Sequence, residues 1–110
     1  MQNYSANDVV LIRYPFTGSL EAKVRPAIVI SAPHISKDII IVPLTSKTGD
    51  LLPGEFVMEE WKSAGLNVVT AVKRGIYTVN EKLVIKKVGS LSEKDAAALK
   101  NSLSSWIEIS

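Results

Sequence analysis

Arg25, Thr45 and Ser46 are the side chains whose types and placement best suit chemistry, and Lys23, Lys47, Lys73 and Arg74 are further cations around them. A guanidinium grips a phosphate through two oxygens and stays charged at every working pH. A hydroxyl donates to a non-bridging phosphate oxygen. Together they suit holding a phosphodiester and stabilising charge that develops in a transition state. A plainer alternative stays open on residue types alone: Arg25 pairs with an acidic side chain at the rim of the fold, and Thr45 is an ordinary strand residue. Other chemistries lack their groups. The chain has one histidine and no cysteine, so disulfides and thiolate chemistry are excluded. His34 falls in a turn, away from Arg25. No His/Cys/carboxylate cluster stands at metal-ligand spacing, and there is no phosphate-binding glycine loop or nucleophile elbow. The neighbouring acids Glu59 and Glu60 point apart on a helical turn and read as a solvated face. Neither a metal nor a cofactor is expected.

The elements that must position these groups are two runs rich in β-branched residues. Arg25-Pro26-Ala27-Ile28-Val29-Ile30-Ser31 is answered by Lys37-Asp38-Ile39-Ile40-Ile41-Val42-Pro43-Leu44-Thr45-Ser46, with Ala32-Pro33-His34-Ile35-Ser36 as the turn. A hairpin symmetric about Ile35 sets Ser31 opposite Ile39, Ile28 opposite Val42, and Arg25 opposite Thr45. Opposed residues share a face, with Cβ atoms roughly 5 Å apart. The hairpin is apolar on both faces between its ends, which predicts a central, buried position and puts Arg25 and Thr45 at its open end.

Around the hairpin, Asp8 to Tyr14 is a first strand, ended by Pro15-Phe16-Thr17-Gly18-Ser19, and Thr17 to Val24 is a polar loop leading to Arg25. Glu55 to Met58 is a fourth strand. Glu59 to Gly65 is one helical turn stopped by Gly65 as a C-terminal cap. Asn67 to Lys73 reads as a strand, continued by Ile76 to Val79 after a bend at Gly75. Leu83 to Gly89 is the last strand, reached through Asn80-Glu81-Lys82. Ser92 caps a terminal helix, with Leu91 and Ala96 at staple positions and Asp95 as a weak relative of the capping-box acid. Ala96, Leu99, Leu103, Trp106 and Ile107 form one apolar stripe at helical spacing, expected to pack on the sheet, with Trp106 in the core. Six short strands and a terminal helix indicate a mainly β chain: a small, strongly curved antiparallel sheet or SH3-like barrel.

Composition sets the remaining bounds. A chain of 110 residues, 46% of them hydrophobic, forms one domain with its own core and is not disordered. A net charge of +2 gives no strong field for nucleic acid, so local placement of charge decides. The apolar runs are strand-length and interrupted, and no secretory leader opens the chain, so a cytoplasmic protein with no membrane contact is expected.

The residues also carry a resemblance. Asp8-Val9-Val10-Leu11, Tyr14-Pro15-Phe16-Thr17, Lys23-Val24-Arg25-Pro26-Ala27-Ile28-Val29-Ile30-Ser31, Pro43-Leu44-Thr45-Ser46 and Leu52-Pro53-Gly54-Glu55 occur in an order and spacing that resembles the PemK/MazF family of toxin endoribonucleases. The likeness runs from Asp8 to Gly65 and continues more loosely from Ile76 to Leu91 and the terminal helix. It implies an SH3-like barrel, commonly a homodimer, and metal-independent cleavage of single-stranded RNA. In that scheme a 2′-hydroxyl attacks the adjacent phosphate and leaves a cyclic phosphate. Arg25 stabilises the pentacovalent transition state and relays a proton, while Thr45 holds a phosphate oxygen with Ser46 as its neighbour. A cognate antitoxin normally blocks the RNA groove. Two positions depart from the family pattern. Asn7 replaces a glycine before the first aspartate, a tolerable change in a turn. Arg74-Gly75 stands where many members have an acidic residue and then glutamine or lysine, which bears on base selection and adds positive charge. The alternatives are an inactive relative that binds RNA or antitoxin, and a toxin on the same fold directed at DNA gyrase, as in the CcdB group.

Overall fold

The strands form where β-branched residues run together, and the first is β1, Asp8–Tyr14. The computed structural model describes residues 4–14 and 23–108. The turn expected at Pro15 to Ser19, the Pro15-Phe16-Thr17 motif and most of the loop before Val24 lie outside those residues. Beyond them come β2 (Lys23–Val29), β3 (Asp38–Thr45), β4 (Phe56–Val57), β5 (Ala71–Val72), β6 (Tyr77–Asn80) and β7 (Val84–Ser90). A single 3₁₀ turn, Glu81–Leu83, joins β6 to β7, and the helix α1 spans Glu93–Trp106. No helix among the described residues is long and apolar enough to cross a membrane.

All pairings are antiparallel, in the order β4-β5-β3-β2-β1-β7, with β6 also on β3. The chain is therefore mainly β with a terminal helix, as expected, but the sheet is open and has seven strands, six along one path and β6 beside it, where the sequence reading gives six. The extra strand comes from splitting the predicted Asn67–Val79 region. Only Ala71–Val72 pairs with the end of β3, at Leu44 and Thr45, while Tyr77–Asn80 pairs separately with its start, at Asp38 to Ile41. Pro43 sits at the changeover. It has no N–H to give a second neighbour, so the ladder breaks there, and its carbonyl accepts from Lys73 N–H at 3.0 Å.

The predicted hairpin register holds at its centre: Val29 pairs with Ile41, Ile28 with Val42 and Ala27 with Pro43. Ile30 N–H donates to the Ile40 carbonyl at 2.8 Å, and Ser31 answers through its hydroxyl, which accepts from Ile40 N–H at 2.9 Å. At the open end the two strands part. Arg25 pairs with Ile12 on β1 and Thr45 with Ala71 on β5, but the ladder between β2 and β3 ends at Ala27 and Pro43, so the predicted direct pairing of Arg25 with Thr45 is not formed.

Both faces of the central strands are buried, and alternation assigns each residue to a side. Val10, Ile12, Ala27, Val29, Ile39 and Ile41 fill one cluster with Tyr4 and Val79. Val9, Ile28, Val42 and Leu44 fill the other with Met58, Val72 and Leu99 of the helix, where Leu103 and Trp106 also pack. Trp106 is only half-buried: its indole N–H donates to the Pro53 carbonyl at 3.1 Å, and the ring covers Gly54. Ile107 ends the stripe beyond the helix, 40% exposed.

Ser92 caps α1 as read, its hydroxyl accepting from Asp95 N–H at 3.2 Å. Asp95 does something the helix pattern does not announce. It is 1% exposed, and its carboxylate accepts from the N–H groups of Glu59 (3.0 Å) and Glu60 (2.9 Å). The helical turn that follows closes with Ala64 N–H on the Glu60 carbonyl, and Gly65 ends it at φ +88°. The left-handed conformation requires glycine, and a Cβ at Gly65 would also meet the Val88 carbonyl oxygen.

Candidate active site

β2 and β3 part at their open end, and the gap between them is a cavity of about 630 Å³. β2 contributes Val24, Arg25 and Pro26, and the end of β3 contributes Leu44, Thr45 and Ser46. The segment after the helical turn supplies Gly65 to Val68 and Thr70, while β7 supplies Lys86, Lys87 and Val88, and β1 supplies Leu11. The predicted trio Arg25, Thr45 and Ser46 is thus brought to one cavity without the direct cross-strand pairing expected of it.

Arg25 is exposed and makes no ion pair among the described residues, where the two salt bridges are Lys87–Asp8 (3.1 Å) and Lys94–Glu59 (2.7 Å). The alternative in which a rim carboxylate ties Arg25 down has no partner there. Thr45 is half-buried, and its hydroxyl oxygen accepts from Lys47 N–H at 3.1 Å. With an acceptor lone pair occupied by that bond, the hydroxyl hydrogen remains free to donate into the cavity.

The other predicted cations lie elsewhere. Lys23, Lys47, Lys73 and Arg74 are exposed and do not line this cavity. Arg74 borders a second one, with Leu52, Pro53, Gly54, Ser105 and Trp106. Its backbone is fixed by Glu55, whose carboxylate accepts from Arg74 N–H at 2.8 Å and Leu52 N–H at 2.7 Å. Those bonds, Arg74's first, with the charges of Lys73 and Arg74 behind them, hold the Glu55 carboxyl below its ordinary value. His34 is exposed in the hairpin turn, hydrogen-bonded to the Ser36 hydroxyl at 2.7 Å. Glu59 and Glu60 are exposed. Among the described residues no three His, Cys, Asp or Glu side chains gather where a metal ion could be held.

Sequence reading missed the far wall. Lys86 pairs with Leu11, and Leu11 with Pro26, so a cross-strand row runs over the cavity floor and ends in a lysine without a carboxylate partner among the described residues. β7 shifts register against β1 on both sides of Lys86-Lys87, at Val9/Val10 and at Leu11/Ile12. Such irregularities re-aim side chains. Two adjacent lysines inside an apolar strand were the local signal, but their distance from Arg25 depends on β7 returning to β1, which no local pattern encodes.

Solved structures share this architecture. MazF from Deinococcus radiodurans superposes with a TM-score of 0.76 at 18% identity, covering 96% of this chain and 97% of that one. A MazE–MazF complex from the same organism gives 0.77 at 18% identity, over 99% and 100%. An endoribonuclease in complex with its cognate antitoxin from a mycobacterial species gives 0.72 at 14% identity, over 96% and 93%. No curated protein sequence matches the chain. At these identities the structures establish the fold. The sequence itself fits the model of one family over residues 5–107, nearly its whole length, and the chain belongs to the PemK-like, MazF-like toxins of type II toxin–antitoxin systems.

Proposed function

We propose that this toxin is a metal-independent endoribonuclease that cleaves single-stranded RNA in the cytoplasm, acts as a homodimer, and is blocked by a cognate antitoxin. The observation that carries the reading is the shared cavity: an Arg25 guanidinium with no ion pair among the described residues and a Thr45 hydroxyl with a free hydrogen. Solved proteins of this fold are described as endoribonucleases, one of them bound to its cognate antitoxin, which supports the same activity here.

In the reaction the ribose 2′-oxygen bonds to the adjacent phosphorus as the bond to the next nucleotide's 5′-oxygen breaks. The 2′-hydroxyl proton is lost and the departing 5′-oxygen gains one, leaving a 2′,3′-cyclic phosphate and a 5′-hydroxyl. Negative charge builds on the non-bridging oxygens of the pentacovalent state. Arg25 meets that charge with a two-pronged cation, and Thr45 donates to one of the oxygens, with Ser46 beside it. Among the described residues no carboxylate or imidazole lines the cavity, and water and phosphoryl oxygens are the partners proposed for the proton transfers. Lys86 supplies a second positive charge across the floor, and the exposed Lys23, Lys47, Lys73 and Arg74 extend the basic surface for the strand outside the cavity. A toxin directed at gyrase needs no such phosphate site.

The test is incubation of the purified protein with a long single-stranded RNA in EDTA, with chemical mapping of the new ends. The reading predicts 5′-hydroxyl and 2′,3′-cyclic phosphate termini, which Arg25→Ala abolishes. Cleavage that disappears in EDTA and returns with a divalent ion would overturn it.

A further inference from the structure

Around Arg25 and Thr45 the cavity has an apolar side that phosphate chemistry does not use. Val24 is 49% exposed and Val68 54% exposed, and both line it, as do Leu11 and Leu66. Half-exposed aliphatic side chains gathered on a concave surface mark a place where an apolar face docks. Asn67 stands among them, exposed, its amide making no hydrogen bond among the described residues. The segment carrying it is held at both ends. Gly65 lies against the β7 backbone at Val88, and Leu66 N–H donates to the Trp61 carbonyl at 3.2 Å. Thr70 is buried: its hydroxyl donates to the Val68 carbonyl at 2.8 Å, and its carbonyl accepts from Met58 N–H at 2.9 Å.

We propose that Asn67, on this anchored segment, reads the nucleobase that flanks the cleaved phosphate, with Val24 and Val68 enclosing the base. The inference rests on the ribonuclease reading and names what sets its sequence preference. A base in single-stranded RNA exposes its hydrogen-bonding edge and its flat faces, and proteins recognise both. An asparagine amide presents one donor group beside one acceptor, a pattern that complements an edge offering acceptor beside donor. The valines contact the apolar faces. Because the segment is fixed before RNA arrives, little ordering cost falls on binding. A well-made pair of this kind discriminates against the wrong base by about tenfold or more.

The experiment maps 5′-hydroxyl ends from a random-sequence RNA pool cut by the parent, Asn67→Ala and Asn67→Asp, each checked for folding by circular dichroism. Asn67→Ala is expected to erase the preference at one position beside the cut, by about tenfold, while preferences elsewhere persist. Asn67→Asp replaces the donor with a second acceptor and is expected to enrich guanine there, whose edge offers two donors. An unchanged motif in Asn67→Ala, or an equal loss of cleavage at every site, overturns the proposal while the parent still cuts RNA. A parent that cuts no RNA overturns the ribonuclease reading instead, and this inference falls with it.

Discussion

Replacing Asp95 with alanine should destabilise the protein by several kcal/mol, although the residue sits in the first turn of α1. Its carboxylate is buried at 1% exposure and accepts two backbone N–H groups, from Glu59 and Glu60. Hydrogen bonds to a charged group contribute about 1.5–3 kcal/mol each. Glu59 and Glu60 are exposed residues, so water recovers part of that loss and the pair is worth about 3 kcal/mol. The negative charge in the first turn of α1 adds roughly 0.5 kcal/mol against the helix dipole. Together these come to about 3.5 kcal/mol, a large share of the ~5–15 kcal/mol typical of a domain. At about 4 °C per kcal/mol, the melting temperature should fall by about 14 °C. Asp95→Asn keeps one acceptor oxygen and should lose about half as much. Urea denaturation measures the free energy, and amide exchange at Glu59 and Glu60 should quicken in step. A loss below about 1 kcal/mol for Asp95→Ala would show that the helical turn does not depend on this carboxylate.

Gly65→Ala forces a side chain onto a φ of +88° and against the Val88 carbonyl; thermal unfolding should show a loss of about 3 kcal/mol, and an unchanged melting temperature would mean the segment does not press on β7. The Glu55 carboxyl has its folded value lowered, so its contribution to stability is complete above the ordinary 4.5 and is lost as pH falls through the lowered value. The stability gap between the parent and Glu55→Gln should therefore close as pH drops below 4.5, and a gap that stays constant in acid would rule out the bonds to Arg74 and Leu52 as its source. Trp106→Ala should cost about 2 kcal/mol by urea denaturation, less than the 3–5 of a fully buried tryptophan, because the ring is half-exposed over Gly54; a loss in the upper range would place it in the core.

Much of this architecture can be read from local pattern, and the reasons are specific. β1 was read with the bounds Asp8–Tyr14 because one β-branched run is set between a polar turn and a proline. The hairpin register followed from the turn at its tip, which fixes which residues oppose. Asn7 adopts φ +76°, which explains why asparagine suits a turn position where glycine is usual. What escaped depends on contacts far apart in sequence. Nothing in Val68-Val69 shows that β5 meets β3 only at Leu44 and Thr45, so the segment reads as strand although it joins no ladder, and Val68 lines the cavity. Asp95 looked like a local cap because its true partners lie on another segment. Lys86 joined the site only because β7 returns to β1. Residue type and spacing point to Arg25 and Thr45 together, and the structure brings both to one cavity, though not through the cross-strand register: the ladder between β2 and β3 stops at Ala27 and Pro43.

The central claim is that Arg25 and Thr45 serve one phosphate across that cavity. The direct measurement is single-turnover cleavage of one RNA by Arg25→Lys, Thr45→Val and the double variant, each verified as folded by circular dichroism. Arg25→Lys keeps the charge but loses the fork that grips two oxygens, and should slow cleavage by at least about tenfold. Thr45→Val keeps the shape without the hydroxyl and should slow it less. Residues acting on one group lose less together than the product of their separate losses. The account predicts that shortfall in the double variant. Full activity in a folded Arg25→Lys protein, or strictly multiplicative losses, would contradict it.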